Sequence, residues 1–166
     1  MCGPAVTHSE LDTQLKIVAP AELSIRLLDL ARPLVFTNGC FDILHRGHTH
    51  YLEQARNLGE SLLVAVNTDA SVQRQNKAPD RPINCLEDRM AILASLACVD
   101  MVVPFDADTP LALINQTQPE HLVKGGDWAV PDIVGSDEVL SWGGQVHSLP
   151  FEFDRSTTKL LQAIRG

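Results

Sequence analysis

The chain has 166 residues, a formal net charge of −8, 45% hydrophobic residues and only 20% charged ones. That is the size and balance of one globular domain with a proper core, and the negative charge argues against a general nucleic-acid or membrane-surface binder. Any polyanion site must then be a local basic pocket, and no apolar stretch is long enough to span a bilayer.

Residues 1–20 lack periodicity and read as an N-terminal tail or arm, with no basic region leading into an apolar stretch as a secretory signal needs. Residues 21–166 read as a single domain. Cys2, Cys40, Cys85 and Cys98 form no C-x-x-C pair, which suits reduced thiols in the cytoplasm. Ala21–Ala31 is a short amphipathic helix carrying Leu23, Leu27, Leu28 and Leu30. Apolar runs at Leu34–Thr37, Ser61–Asn67, Met101–Pro104, Leu122–Lys124 and Gln145–Leu149 read as strands. Between them, His48–Leu58 places Tyr51, Leu52, Ala55 and Leu58 on one helical face. Leu86–Ala97 does so with Leu86, Met90, Leu93, Ala94 and Ala97, after a capping box at Asn84 and Glu87. Gln73–Ile83 is polar, contains prolines and carries Arg74, Lys77 and Arg81, the composition of a mobile, basic loop. Nearly all-apolar strands alternating with helices imply α/β architecture: a mainly parallel sheet covered on both faces, with ligands bound beyond the carboxyl ends of the strands.

The run Gly39-Cys40-Phe41-Asp42-Ile43-Leu44-His45-Arg46-Gly47-His48 joins the first strand to a helix. It brings two imidazoles, a glycine turn and the unpaired amides of a helix start to one point, which suits a phosphate chain. A zinc site with His50 as third ligand is the obvious competitor. Residues spaced i, i+3, i+5 cannot all face one point on a helix, and no carboxylate or cysteine stands at supporting spacing. Neither G-x-G-x-x-G nor G-x-x-x-x-G-K-[ST] occurs, which weakens dehydrogenase and P-loop readings. Gly125-Gly126, after a strand and between Lys124 and Asp127, allows close approach of a ligand, or is a plain turn. Ser156-Thr157-Thr158 caps a helix, grips a phosphate, or both. Arg89 flanks its helix's apolar stripe and could reach toward phosphates; Asp69 could cap a helix or bind a hydroxyl.

Gly39-Cys40-Phe41-Asp42 followed by His45-x-Gly47-His48 resembles the signature of the cytidylyltransferase-like nucleotidyltransferases. Within them, Asn38-Gly39-Cys40, Val66-Asn67-Thr68-Asp69, Arg81-Pro82-Ile83-Asn84, Glu87-Asp88-Arg89, Lys124-Gly125-Gly126-Asp127-Trp128 and Ser156-Thr157-Thr158 resemble the heptose 1-phosphate adenylyltransferase branch. The resemblance runs from about Ala31 to Arg165 and implies a Rossmann-like three-layer sandwich. It implies transfer of AMP from ATP to D-glycero-β-D-manno-heptose 1-phosphate, giving ADP-heptose and pyrophosphate for lipopolysaccharide core synthesis. The sugar-kinase half of bifunctional members is absent from this sequence. On this basis His45, His48 and Lys77 are the expected catalytic residues. Thr37, Asn38, Gly39, Cys40, Phe41, Asp42, Gly47, Arg89, Lys124, Gly125, Asp127, Ser156, Thr157 and Thr158 would bind nucleotide; Asn67, Asp69, Arg81 and Trp128 would bind the acceptor. Mg²⁺ would travel with ATP and need few protein ligands, and a homodimer is implied. One departure is Phe153-Asp154-Arg155 before the Ser-Thr-Thr run, where relatives carry an arginine-threonine pair and a glycine; another is Arg46 inside the histidine motif. The alternatives are a cytidylyltransferase for glycerol 3-phosphate or a related polyol phosphate, whose opening motif usually has threonine in place of Cys40, and a non-catalytic nucleotide-binding module.

Overall fold

The computed structural model describes residues 12–75, 80–150, 152–153 and 157–165. Five strands form one sheet: β1 (Leu34–Gly39), β2 (Ser61–Asn67), β3 (Met101–Phe105), β4 (His121–Gly125) and β5 (Gln145–Leu149). All of its pairings are parallel, in the order β3-β2-β1-β4-β5. The helices are α1 (Leu23–Arg26), α2 (Arg46–Arg56), α3 (Asp69–Arg74), α4 (Leu86–Ala94), α5 (Leu111–Thr117), α6 (Ser136–Ser141) and α7 (Thr157–Arg165). The α/β class, the strand positions and the Rossmann-like sheet match the sequence expectation.

Side chains alternate across each strand, so one set of apolar residues serves each face. Leu34, Phe36, Leu63, Ala65, Met101 and Val103 pack with Leu23 of α1, Ile114 of α5 and Val139 of α6. Val35, Leu62, Val64, Val66 and Val102 pack on the other side with Tyr51, Leu52 and Ala55 of α2 and Met90, Leu93 and Ala94 of α4. Every residue of β2 is buried, which is why that run lacks a polar face. Each fully buried Leu or Val there stabilises the fold by about 1.5–3 kcal/mol. The chain runs from β1 outward through β2 to β3, then crosses back to β4 on the other side of β1. The chain leaving β1 enters α2 on one face and the chain leaving β4 leads to α6 on the other, which opens between them the crevice in which such sheets bind ligands.

Several elements differ from the sequence reading. The described part of the expected arm packs down: Ile17 bridges Val102 beside β3, the Val18 amide donates to the Val102 carbonyl at 2.9 Å, and Val18 is wholly buried. Ala21–Ala31 holds only one turn of α-helix, flanked by 3₁₀ turns at Pro20–Glu22 and Leu27–Asp29. Arg74 ends α3 instead of opening a loop. The capping box does not form: α4 is capped from Cys85 with no side-chain bond, and the Asn84 amide donates to the Asp42 carbonyl at 2.5 Å.

Candidate active site

The signature run leaves β1 and turns sharply. Phe41 adopts φ 47°, the left-handed region that costs a non-glycine residue about 1 kcal/mol or more. What holds it there is packing: Phe41 is buried, its ring lies over Gly39, and it meets His48 edge-on at 5.5 Å. A Cβ on Gly39 would stand 3.0 Å from the Phe41 ring, so a larger residue there would push the ring aside by a few tenths of an ångström. His45, in extended conformation, is the N-cap of α2, and the His48 amide donates to its carbonyl at 2.8 Å. The two imidazoles stack with centroids 3.9 Å apart. Burial, and then the neighbouring His45, pull the His48 pKa down to about 4; burial also lowers that of His45. Both rings are therefore neutral near pH 7, able to donate one N–H each without adding fixed charge.

Asp42 turns inward from the same run. Its buried carboxylate accepts the amides of Ile83 (2.8 Å) and Asn84 (2.9 Å) and pairs with the Arg81 guanidinium. Segment 81–84 is thus tied to the signature turn, and Arg81 is held at the cavity edge rather than swinging freely. Arg89 also faces inward. Expected on the phosphates, it lines neither cavity and lies instead behind Cys40 with its side chain fully buried. It donates to the carbonyls of Cys40 (2.6 Å) and Asn84 (3.1 Å) and to the Asp69 carboxylate (2.6 Å). Asp69 is engaged by that pair, and the cap of α3 is Thr68, whose hydroxyl accepts from the Ser71 amide at 3.2 Å.

A cavity of about 330 Å³ opens where β1 and β4 end. It brings together Asn38, Gly39, Cys40, Phe41, Asp42, His48, Arg81, Lys124, Gly125, Trp128 and Thr157 from the expected set, and adds Tyr51. Lys124 donates to the Asn38 side chain at 3.3 Å and lies 5.9 Å from the Trp128 ring centre. Gly126 follows at φ 116°, a conformation that suits glycine, and turns the chain so that Trp128 bonds Ser148 and the Gly125 carbonyl. Thr157 opens α7 at the cavity, its hydroxyl on the Ile43 carbonyl at 3.3 Å. A smaller chamber of about 170 Å³ adjoins the cavity and shares Asn38, Lys124 and Trp128 with it. Asn67 lines this second chamber, with Gln75, Asp108, Thr109 and Asp132 among its other walls.

Other expected residues stand elsewhere. Thr37 is wholly buried, its hydroxyl bonded to that of Tyr51 beneath the cavity floor. Gly47 is buried in the first turn of α2, and Asp127 is exposed outside both cavities. Arg46 is exposed, with its guanidinium 3.8 Å over the Phe153 ring. Lys77, Ser156, Asp154 and Arg155 lie outside the described residues, as does the side chain of Thr158. Tyr51 belongs to the core stripe of α2, yet its side chain also lines the cavity; the signal in the sequence is an O–H on a core face, which must find a partner. Gln75 falls within the 73–83 segment singled out by its composition, whereas nothing in the sequence marks Asp108 or Asp132.

Known proteins share this arrangement. The cytidylyltransferase-like family profile matches residues 36–161. The chain is 53% identical to the D-β-D-heptose 1-phosphate adenylyltransferase of Bordetella bronchiseptica over 152 residues, 90% of this chain and 94% of that protein. It is 51% identical to the bifunctional protein HldE of Aliivibrio fischeri strain MJ11 over 96% of its own length, while spanning only 34% of that relative. Among solved structures, the lipopolysaccharide core biosynthesis protein of Thermoplasma volcanium superposes with a TM-score of 0.58 at 27% identity, covering 73% of this chain and 98% of that one. With the histidine turn, the parallel sheet and the glycine turn after β4 all in their expected places, the chain belongs to the cytidylyltransferase-like family and is a nucleotidyltransferase.

Proposed function

We propose that the chain transfers AMP from ATP to D-glycero-β-D-manno-heptose 1-phosphate, releasing pyrophosphate and ADP-heptose for lipopolysaccharide core synthesis. The observation that carries this reading is the pair of adjoining cavities, which meet at Lys124, Asn38 and Trp128. ATP takes the larger, against His48, Lys124 and Thr157; the sugar phosphate takes the smaller. The likeness to the Bordetella adenylyltransferase supports the choice of base and sugar.

An oxygen of the sugar phosphate attacks the α-phosphorus of ATP, the new P–O bond forms, and the bond to pyrophosphate breaks. The nucleophile is already an anion, so no general base is required. The barrier is the meeting of anions and the charge that grows on the α-phosphate and the leaving group. Positioning and preorganised donors lower it. Neutral His48, with His45 stacked behind it, donates to the phosphate chain; Lys124, on the wall between the cavities, neutralises both reactants. Thr157 and the start of α7 hold the outer phosphates, and we assign Ser156, Thr158 and Lys77 to the same task. Asp42 and Arg89 keep the signature turn in shape. Among the described residues no group of three or more metal-ligating side chains occurs, and Asp42 is fully engaged. That donor set suits Mg²⁺ carried by the triphosphate's own oxygens, where it offsets phosphate charge. We further propose that the enzyme acts in the cytoplasm as a homodimer, as the family resemblance implies.

Pyrophosphate release should be measured with ATP and with CTP, each against heptose 1-phosphate and glycerol 3-phosphate. Release confined to ATP with heptose 1-phosphate supports the reading. Preference for CTP would point to the cytidylyltransferase alternative, and ATP binding without release to a non-catalytic module.

A further inference from the structure

The two departures from the family signature meet in space. Arg46, inside the histidine motif, holds its guanidinium 3.8 Å over the ring of Phe153, which opens the stretch before the Ser-Thr-Thr run. They belong to a larger contact. Arg46, His50 and Gln54 stand at successive intervals of four residues on α2, so they form one stripe along the helix. The Phe153 ring also meets the His50 ring edge-on at 5.4 Å. Beside it, the Glu152 carboxylate lies 3.1 Å from His50 Nε2 and accepts from the Gln54 side-chain amide at 3.2 Å. The opposite side of α2 carries Tyr51, Leu52 and Ala55 into the core, and His48 lines the cavity. One helix therefore grips the segment after β5 with its outer stripe and presents His48 from its inner one. Four residues after Phe153 comes Thr157, where α7 begins at the cavity.

We propose that Arg46 and Phe153 are positioning residues for the triphosphate of ATP. Their contact, with that of Glu152 on His50 and Gln54, fastens the chain to α2 just before α7 and so sets Thr157 against the outer phosphates. This rests on the assignment of the start of α7 to those phosphates. The physical need is entropic: β5 ends at Leu149, and every residue of the connection to α7 that ATP must order on binding weakens that binding. A clamp already closed in the free protein removes this cost. Apparent affinity scales with the fraction of protein in the competent arrangement, so loosening the clamp raises Kd in proportion. Arginine suits the task, because its planar guanidinium stacks on an aromatic face while keeping its charge. AMP has no outer phosphates, so its binding is indifferent to where α7 begins.

Binding of ATP and of AMP to the full chain, measured by isothermal titration calorimetry without any acceptor, tests this. Phe153→Ala should raise the Kd of ATP about tenfold, as the clamped fraction falls to about a tenth, and should change that of AMP by less than about twofold. The unchanged AMP affinity also shows that the variant is folded. Arg46→Ala should behave in the same way, and the double variant should bind ATP within about twofold of either single one, since both remove the same contact. Phe153→Tyr, which keeps the ring, should bind ATP as the wild type does. Equal losses for ATP and AMP would reduce the contact to general structural support and overturn the proposal. Losses that multiply in the double variant would make Arg46 a phosphate ligand in its own right and overturn it too, as would wild-type ATP affinity in Phe153→Ala. The measurement uses no sugar, so a wild type that transfers no AMP to heptose 1-phosphate would refute the acceptor assignment and leave this comparison to decide the clamp. A wild type that binds ATP no more tightly than AMP would overturn the role of α7 and this proposal together.

Discussion

Asp42→Asn tests how the signature turn is held. The native carboxylate has no solvent exposure and faces a guanidinium that is itself only 9% exposed. Removing the charge leaves Arg81 buried without its counter-ion, which typically costs about 3–5 kcal/mol. The asparagine oxygen can still accept one of the two amides at Ile83 and Asn84; the other meets an NH₂ group or nothing, at about 1–3 kcal/mol. These losses overlap, because relaxing segment 81–84 relieves both, so about 4 kcal/mol is expected. That is a large part of the roughly 5–15 kcal/mol by which a domain is stable. Urea denaturation followed by circular dichroism should show a lower midpoint at unchanged slope, and Tm should fall by about 8–16 °C. Asp42→Asn combined with Arg81→Met should cost less than the sum of the two single changes by about 2 kcal/mol, since neither partner is then left alone. A loss below about 1 kcal/mol for Asp42→Asn, or strict additivity, would refute the view that the carboxylate fastens segment 81–84.

His48→Ala should lower kcat by roughly a hundredfold while the protein stays folded, the order of loss for one preorganised donor; near-normal turnover would remove His48 from catalysis. Acid should destabilise the free protein through the same ring. Its pKa is about 4 when folded and about 6.5 when unfolded, so between these values the unfolded chain binds more protons. Stability then falls as pH drops from about 6.5 to 4, by about 3 kcal/mol at most, and this contribution is flat above that window. Thermal melts across this range should show a shallower decline for His48→Gln than for the wild type; equal slopes would contradict the buried, neutral assignment. ATP, whose phosphates favour the imidazolium, should flatten the wild-type decline.

The parts of the fold readable in the sequence are those written as local pattern. Leu62 to Val66 could only be a strand buried on both faces, and Tyr51, Leu52 and Ala55 could only be one side of a helix. His45, Gly47 and His48 announce a phosphate site because their spacing is short. The misreadings concern pairs far apart in the chain. Arg89 looks like a phosphate ligand until Asp69 and the Cys40 carbonyl, on two other segments, are seen to use its donors. Asn84 and Glu87 have the spacing of a capping box, yet the Asp42 carbonyl takes the Asn84 amide. Val18 lies in a stretch without periodicity because a single turn against an edge strand needs only one buried residue. Asp132 reaches the second chamber through the path of its loop, and no residue spacing records that path.

The origin of the atoms in the new phosphoanhydride discriminates nucleotidyl transfer from every rival. Heptose 1-phosphate labelled with ¹⁸O in its phosphate oxygens should be incubated with ATP and the protein, and both products examined by mass spectrometry. If the sugar phosphate attacks the α-phosphorus, all of the label stays in ADP-heptose, including the bridging oxygen, and none enters pyrophosphate. Label in pyrophosphate or in water, or release of pyrophosphate without a labelled nucleotide sugar, would contradict AMP transfer to this acceptor.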